Sequence, residues 1–107
     1  MVKLVIPTRN RPTSLGGVLE FLSCFYPNTD VLIADGSEPG YDAHYKTVVD
    51  KASDRLRIEY RRYPVEMGYI ERLLAVLESL DDEHIAIGAD DDYPMMDTFN
   101  AGEDFLI

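Results

Sequence analysis

Val2-Lys3-Leu4-Val5-Ile6-Pro7-Thr8-Arg9-Asn10-Arg11-Pro12 opens the chain with a short apolar run, ended by proline and followed by a polar loop. A run of this length and character reads as a strand buried in a sheet. Thr13 or Ser14 can then cap a helix whose apolar positions are Leu15, Val18, Leu19, Leu22 and Phe25, one stripe at helical spacing that Pro27-Asn28 ends. Asp30 to Ala34 repeats the short apolar run and meets Asp35-Gly36-Ser37, a turn signature.

The same alternation continues downstream. Residues 41–52 predict a helix with Tyr45, Val48, Val49 and Ala52 on one side. Leu56 to Arg61 alternates apolar and charged residues, the period of a half-exposed strand. Gly68 opens a helix with Ile70, Leu73, Leu74, Leu77 and Leu80 on its expected buried face, and His84 to Ala89 is again short and strand-like. Asp97 caps a last helical stretch running to Ile107. Strands alternating with amphipathic helices define an α/β chain with an open, mainly parallel, Rossmann-like sheet flanked by helices. Residues 1–107 read as one domain, and the thin sheet with its unfinished last helix as the first half of a longer unit.

Composition narrows the function. Twenty acidic and ten basic side chains give a formal charge of −10, and 46% of the residues are hydrophobic. That apolar content excludes a disordered acidic tail. The charge argues against nucleic acid, whose phosphates need clustered Lys and Arg. No apolar run approaches the ~20 residues of a membrane span, and the chain starts directly in strand-like sequence without a secretory leader. Cys24 stands alone, which excludes a disulfide framework and fits a reducing compartment. The expected location is cytoplasmic, the cytoplasmic face of a membrane included.

Ligands of open parallel sheets bind beyond the carboxyl ends of the strands. Three polar loops are expected there: Thr8 to Arg11, Asp35 to Ser37 and Asp90 to Asp92. In an extended Asp90-Asp91-Asp92, the first and third carboxylates share a face. At ~5–6 Å they repel by roughly 3 kcal/mol at an effective dielectric of ~20, which a divalent cation would remove. Hard oxygen ligands favour Mg²⁺ or Mn²⁺ completed by substrate phosphates; the alternative is a solvated acidic turn. Asp35 is either a turn residue bonding backbone N–H groups or a ligand contact. Arg9 and Arg11 either meet phosphate or solvate a loop, and Arg72, beside Leu73, reads as a surface arginine. His44 and His84 lack a second ligand at metal spacing, and Cys24 lacks a partner His, so all three read as structural.

Together these pieces resemble the nucleotide-binding half of a family 2 glycosyltransferase of the GT-A fold. The resemblance rests on four stretches in order: Val5 to Pro12, Leu32 to Ser37, Gly68 with its helix, and Ile85 to Asp92. It implies that Pro7, Thr8 and Arg9 line a nucleoside pocket and that Asp35 hydrogen-bonds the base, usually uracil. It also implies that Asp90, Asp91 and Asp92 form the DxD element, contacting ribose and the Mn²⁺ or Mg²⁺ that bridges the diphosphate. Asp90 and Asp92 are the expected metal ligands.

The chain departs from the family pattern in four places. Ala34 replaces the first acidic residue of Asp-Asp-Gly-Ser, and Glu66-Met67-Gly68 replaces Asn-x-Gly. Arg72, the nucleotide-binding arginine that the resemblance implies, falls one residue early for the arginine of Ala-Arg-Asn, and Gly88 stands where many members carry an Asp. The family's catalytic base lies well downstream of the DxD element; Glu103-Asp104 is too close to Asp92 to be that pair, so the base is expected outside this chain. The implied activity of the complete enzyme is inverting transfer from a nucleotide-diphosphate sugar, UDP-sugar favoured, to an acceptor hydroxyl, with metal assistance. Three alternatives stand beside it. One is a nucleotide-binding module without the acceptor half. Another α/β phosphate enzyme would need an acidic pair or a Gly-rich loop where Thr8 to Arg11 stands. The third is an α/β fragment with an acidic edge and no ligand.

Overall fold

The computed structural model describes residues 3–80 and 84–90. The opening apolar run forms β1 (Lys3–Thr8), which pairs in parallel on both sides. Its neighbours are β2 (Asp30–Asp35) and the short β4 (Ile85–Ile87), and β3 (Arg57–Arg62) pairs outside β2. Among the described residues the sheet is all-parallel, in the order β3-β2-β1-β4. The register runs Lys3 opposite Asp30 to Thr8 opposite Asp35, and Asp35 opposite Arg62. The three strands therefore end level, with Thr8, Asp35 and Arg62 in a row along the carboxyl edge.

Alternation divides the sheet's residues between two layers. Leu4, Ile6, Val31 and Ile33 face helices α1 (Pro12–Phe25) and α2 (Asp42–Ala52), meeting Leu15, Val18, Leu19, Leu22 and Tyr45 in the larger core. Val5, Leu32 and Ala34 face α3 (Tyr69–Ser79) and pack on Val76, with Leu73, Leu80 and Ile85 around them. Burying a Leu or Ile side chain stabilises by roughly 1.5–3 kcal/mol, and the central strands bury theirs completely. These strands are thus apolar on both faces, as expected of an interior parallel strand.

Several expectations are corrected. Neither Thr13 nor Ser14 caps α1: the helix begins at Pro12 with Arg11 in the capping position, because a proline at the first helical position has no N–H to leave unsatisfied. Phe25 is 68% exposed, beyond the reach of the sheet. Asn28, at φ 68°, ends the segment in a left-handed turn, and its N–H bonds the Arg55 carbonyl at 2.7 Å. On α3 the buried positions are Arg72 and Val76, whereas Ile70 and Leu74 are 63% and 52% exposed. Among the described residues α3 alone covers its side of the sheet, so nothing flanks it to bury the rest of a broad apolar stripe. The helical stretch expected from Asp97 onwards lies outside the described residues, as does Glu103-Asp104. No helix among the described residues is long and apolar enough to cross a membrane.

Candidate functional site

The strand order reverses at β1: the chain leaves towards β2 and β3 on one side, then returns to place β4 on the other. The crevice beyond the carboxyl ends of β1 and β4 is where such sheets hold ligands. Thr8 closes β1 on one wall, and Asp90, two residues past Gly88, stands on the other. Gly88 N–H bonds the Val5 carbonyl at 2.8 Å and so guides the chain along β1 up to that point.

Thr8 and Asp90 are joined by a hydrogen bond from Thr8 Oγ1 to Asp90 Oδ2 of 2.9 Å, with 2% and 6% of the two residues exposed. Tyr45 Oη lies 2.7 Å from Thr8 Oγ1, and the Arg11 N–H donates to Tyr45 Oη at 3.0 Å. An ionised carboxylate only accepts, so the single Thr8 proton goes to Asp90 and the Tyr45 proton goes to Thr8. The chain thus has one direction: Arg11 N–H to Tyr45, Tyr45 to Thr8, Thr8 to Asp90. Arg11 also closes it through its side chain, with Nη1 3.4 Å from Asp90 Oδ1. Each buried polar atom in this chain has a partner, which removes the cost of about 1–3 kcal/mol for an unpaired one.

The loop after β2 is laced to the loop after β1. Gly36 N–H bonds the Thr8 carbonyl at 3.0 Å, Asn10 N–H bonds Ser37 Oγ at 2.7 Å, and Glu38 N–H bonds Asn10 Oδ1 at 3.0 Å. Asn10 holds φ 54°, a left-handed conformation that asparagine tolerates better than most residues. Asp35 is fully buried. Its Oδ1 accepts the Ser37 N–H at 2.8 Å, its Oδ2 accepts the Tyr60 hydroxyl, and Arg62 Nε approaches to 4.0 Å. The turn reading of Asp-Gly-Ser is therefore present in full, and burial of the Asp35 carboxylate means that a base reaches it only if the surrounding packing opens. Burial, then the bond to Asp35, push the Tyr60 hydroxyl well above its ordinary pKa.

Arg72 is not a surface residue. It is 3% exposed, and its Nε has no hydrogen-bond partner among the described residues. Alternation explains its position: Gly36 falls on the same side of β2 as Leu32 and Ala34, which is the side α3 covers. A Cβ on Gly36 would lie 1.9 Å from Arg72 Nη1, so any larger residue would force the guanidinium out of its present position. Arg9 reaches the same place from β1, with Nη1 bonding the Gly36 carbonyl and the Val65 carbonyl, each at 3.1 Å. Burial and then the neighbouring Arg9 charge depress the Arg72 pKa, while Asp35 opposes them.

The loops after β1 and β2 meet Asp90 at one edge, and Thr8, Arg9, Asp35 and Arg72 lie there with it, with Pro7 buried at the end of β1. The candidate ligands Asp91 and Asp92 lie outside the described residues, and no group of three His, Cys, Asp or Glu side chains gathers among the described ones. Asp90 offers hard oxygens suited to Mg²⁺ or Mn²⁺. Its Oδ1 faces Arg11 Nη1 at 3.4 Å, at the rim of the crevice where the Arg11 side chain is 52% exposed. Among the described residues Asp90 contributes hard oxygens of the kind such a cation takes, and no ligand group of three or more forms around it. His44 and Cys24 are exposed, and His84 is half-buried just ahead of β4. A cleft of about 380 Å³ between α2 and β3, lined by Asp42, Lys46, Val49, Asp50, Tyr60 and Arg62, adjoins the Asp35 side of the site through Tyr60 and Arg62.

Three contributors were not legible as site residues: Tyr45, Tyr60 and Arg62. Tyr45 carried a signal, since a hydroxyl on an otherwise apolar helix face requires a polar partner when buried. Compared with known protein families, with curated proteins and with solved structures, the chain gives no match in any of the three.

Proposed function

We propose that the chain is the donor-binding half of an inverting glycosyltransferase, holding a nucleotide-diphosphate sugar, with a UDP-sugar favoured, in the crevice between the ends of β1 and β4. The observation that carries the reading is the Thr8–Asp90 bond. It joins the first and last of the motif stretches across the strand reversal where α/β sheets bind nucleotides. Pro7, Thr8 and Arg9 form the nucleoside side, and Asp35 is the base contact once the packing around its carboxylate opens. Asp90 and Asp91 are assigned to the ribose and diphosphate, and Arg72 and Arg9 supply the positive charge that a chain of net −10 needs near an anion.

A divalent cation held by Asp90 and Asp92 would supply charge neutralisation for the departing diphosphate. The protein's part there is to fix Asp90: Thr8 and Arg11 hold the two oxygens in a set orientation before any ligand arrives. The acceptor and the base that deprotonates it are not assigned to this chain.

Calorimetric titration of UDP with Mn²⁺, and again with EDTA, tests the reading on the wild type and on Asp90→Asn/Asp92→Asn. Metal-dependent binding lost in the variant supports it. A folded chain that binds neither UDP nor GDP, CDP or dTDP contradicts it. Binding without sugar transfer to any acceptor would reduce the reading to a nucleotide-binding module.

A further inference from the structure

Arg72 poses a problem that the crevice reading does not use up. A guanidinium carries five donors, is always charged, and is costly to bury without a partner. Here it is 3% exposed, no side-chain hydrogen bond reaches it among the described residues, and its Nε is orphaned. The fold nonetheless makes room for it with Gly36 and brings a second guanidinium to the same glycine, through the bond from Arg9 to the Gly36 carbonyl. Arg9 remains exposed, and its Nη1 spans from Gly36 to Val65 as a strap across the two loops. Between these two like charges the described structure places no carboxylate bonded to either. The neighbouring Asp35 acts on Arg72 at a distance, and its hydrogen bonds run to Ser37 and Tyr60 instead.

Arg72 also stands at the start of α3, an 11-residue helix. The first bond within the helix is from the Arg72 N–H to the Gly68 carbonyl at 2.9 Å, so the N–H groups of Tyr69, Ile70 and Glu71 precede the ladder. Gly68 in the capping position provides no side-chain acceptor for them. Side chains on a helix lean towards its N-terminus, which directs the Arg72 guanidinium to the same end. Free N–H groups, the positive end of the helix dipole and two arginines are the chemistry that recognises phosphate.

We infer that Arg72, Arg9 and the N-terminus of α3 form a binding site for a phosphate-class oxyanion, one that works without a divalent metal. The anion seats under the Arg9 strap at Gly36 and takes up the unused donors of Arg72. This deepens the crevice reading by giving the carboxyl edge a second, cationic subsite on the α3 side of the sheet, opposite the acidic one at Asp90. It does not depend on a nucleoside.

The test titrates sodium pyrophosphate into the full chain in EDTA, using the wild type, Arg72→Met, Gly36→Ala, Arg9→Met and the control Lys46→Met, each checked by circular dichroism and thermal melting. The wild type is expected to bind, and Arg72→Met and Gly36→Ala to weaken binding at least tenfold. Arg9→Met should weaken it severalfold, while Lys46→Met, which removes the same charge elsewhere, changes it less than twofold. Arg72→Met should melt no lower than the wild type, because it removes a buried charge with no partner; an arginine with a purely structural role would show the reverse pattern. Failure of the folded wild type to bind pyrophosphate, or equal affinity in Arg72→Met, overturns the site. If Arg72→Met does not fold, unchanged affinity in Gly36→Ala overturns it instead. Competition between UDP and pyrophosphate in EDTA would assign the site to a nucleotide's diphosphate, and its absence to a free phosphate-class ligand; both support the site. Metal-dependent UDP binding without pyrophosphate binding would sink this inference alone, and Arg72-dependent pyrophosphate binding without any nucleotide binding would sink the donor-site reading alone.

Discussion

The Tyr45 hydroxyl lies 2.7 Å from Thr8 Oγ1, which ties the first turn of α2 to the carboxyl end of β1 and, through Thr8, to Asp90. The larger core and the candidate site therefore share a residue: the Tyr45 ring is fully buried among Leu and Ile side chains while its oxygen orients the edge of the sheet. The Tyr45→Phe variant keeps the ring and removes the oxygen, so it should lose about 1–2 kcal/mol of stability in urea denaturation. Thr8→Val leaves both Asp90 and Tyr45 short of a partner and should lose more, up to about 3 kcal/mol. Equal stability in all three proteins would mean that the chain of bonds is not formed in solution.

Tyr60 gives the alkaline side of the stability curve a definite sign. Its folded pKa is raised above the ordinary value near 10, by burial first and by the bond to Asp35 second. Above about pH 10 the unfolded chain releases this proton while the folded one retains it, so the unfolded state binds fewer protons and stability falls as pH rises. Below pH 10 the contribution is fully present and flat. Tyr60→Phe should weaken that alkaline decline, measured by thermal melting from pH 8 to pH 11. A slope identical to the wild type's would show that Tyr60 is not held in this environment.

The phase of α3 is checked by a pair of substitutions. Leu74, 52% exposed, should accept Lys with a change within about 0.5 kcal/mol. Val76, fully buried, should lose about 1–3 kcal/mol on truncation to Ala. The apolar pattern alone puts Leu74 inward, and a large loss in Leu74→Lys would restore that arrangement.

How far the sequence reaches is seen in these same residues. The short apolar runs at Leu4–Ile6 and Val31–Ala34 and the alternation of Ile58 and Tyr60 were sufficient for a parallel α/β sheet, because strand burial depends on local pattern. The meeting of the Thr8, Asp35 and Asp90 loops followed from topology. The orientation of α3 did not, because Ile70, Leu73, Leu74 and Leu77 make a stripe wider than the single sheet face it meets. Arg72 was read outward since burying an arginine is costly. Only the approach of Gly36 from another strand made the inward position possible, and that is a tertiary fact. Tyr60 and Arg62 were hidden for a similar reason: their partner Asp35 lies across the strand pairing rather than nearby in sequence.

Gly16 separates local propensity from packing. It sits inside α1, and an added Cβ would meet Val48 Cγ2 of α2 at 3.4 Å, ordinary contact distance. Gly16→Ala should therefore stabilise the protein by about 0.5–1 kcal/mol, through reduced freedom of the unfolded chain, as read from denaturant midpoints. A loss would show that α1 and α2 pack more closely than this distance.

The central claim, a nucleotide site at the carboxyl edge beside Asp90, is tested most directly by mapping amide chemical shifts while UDP and Mg²⁺ are titrated into the labelled chain. Saturable shifts are expected at Thr8 to Arg11, Gly36 to Ser37 and Gly88 to Asp90, abolished in Asp90→Asn. Shifts confined to Lys46, Val49 and Asp50, on the α2 wall of the neighbouring cleft, would contradict it, as would no shifts at all from a folded chain.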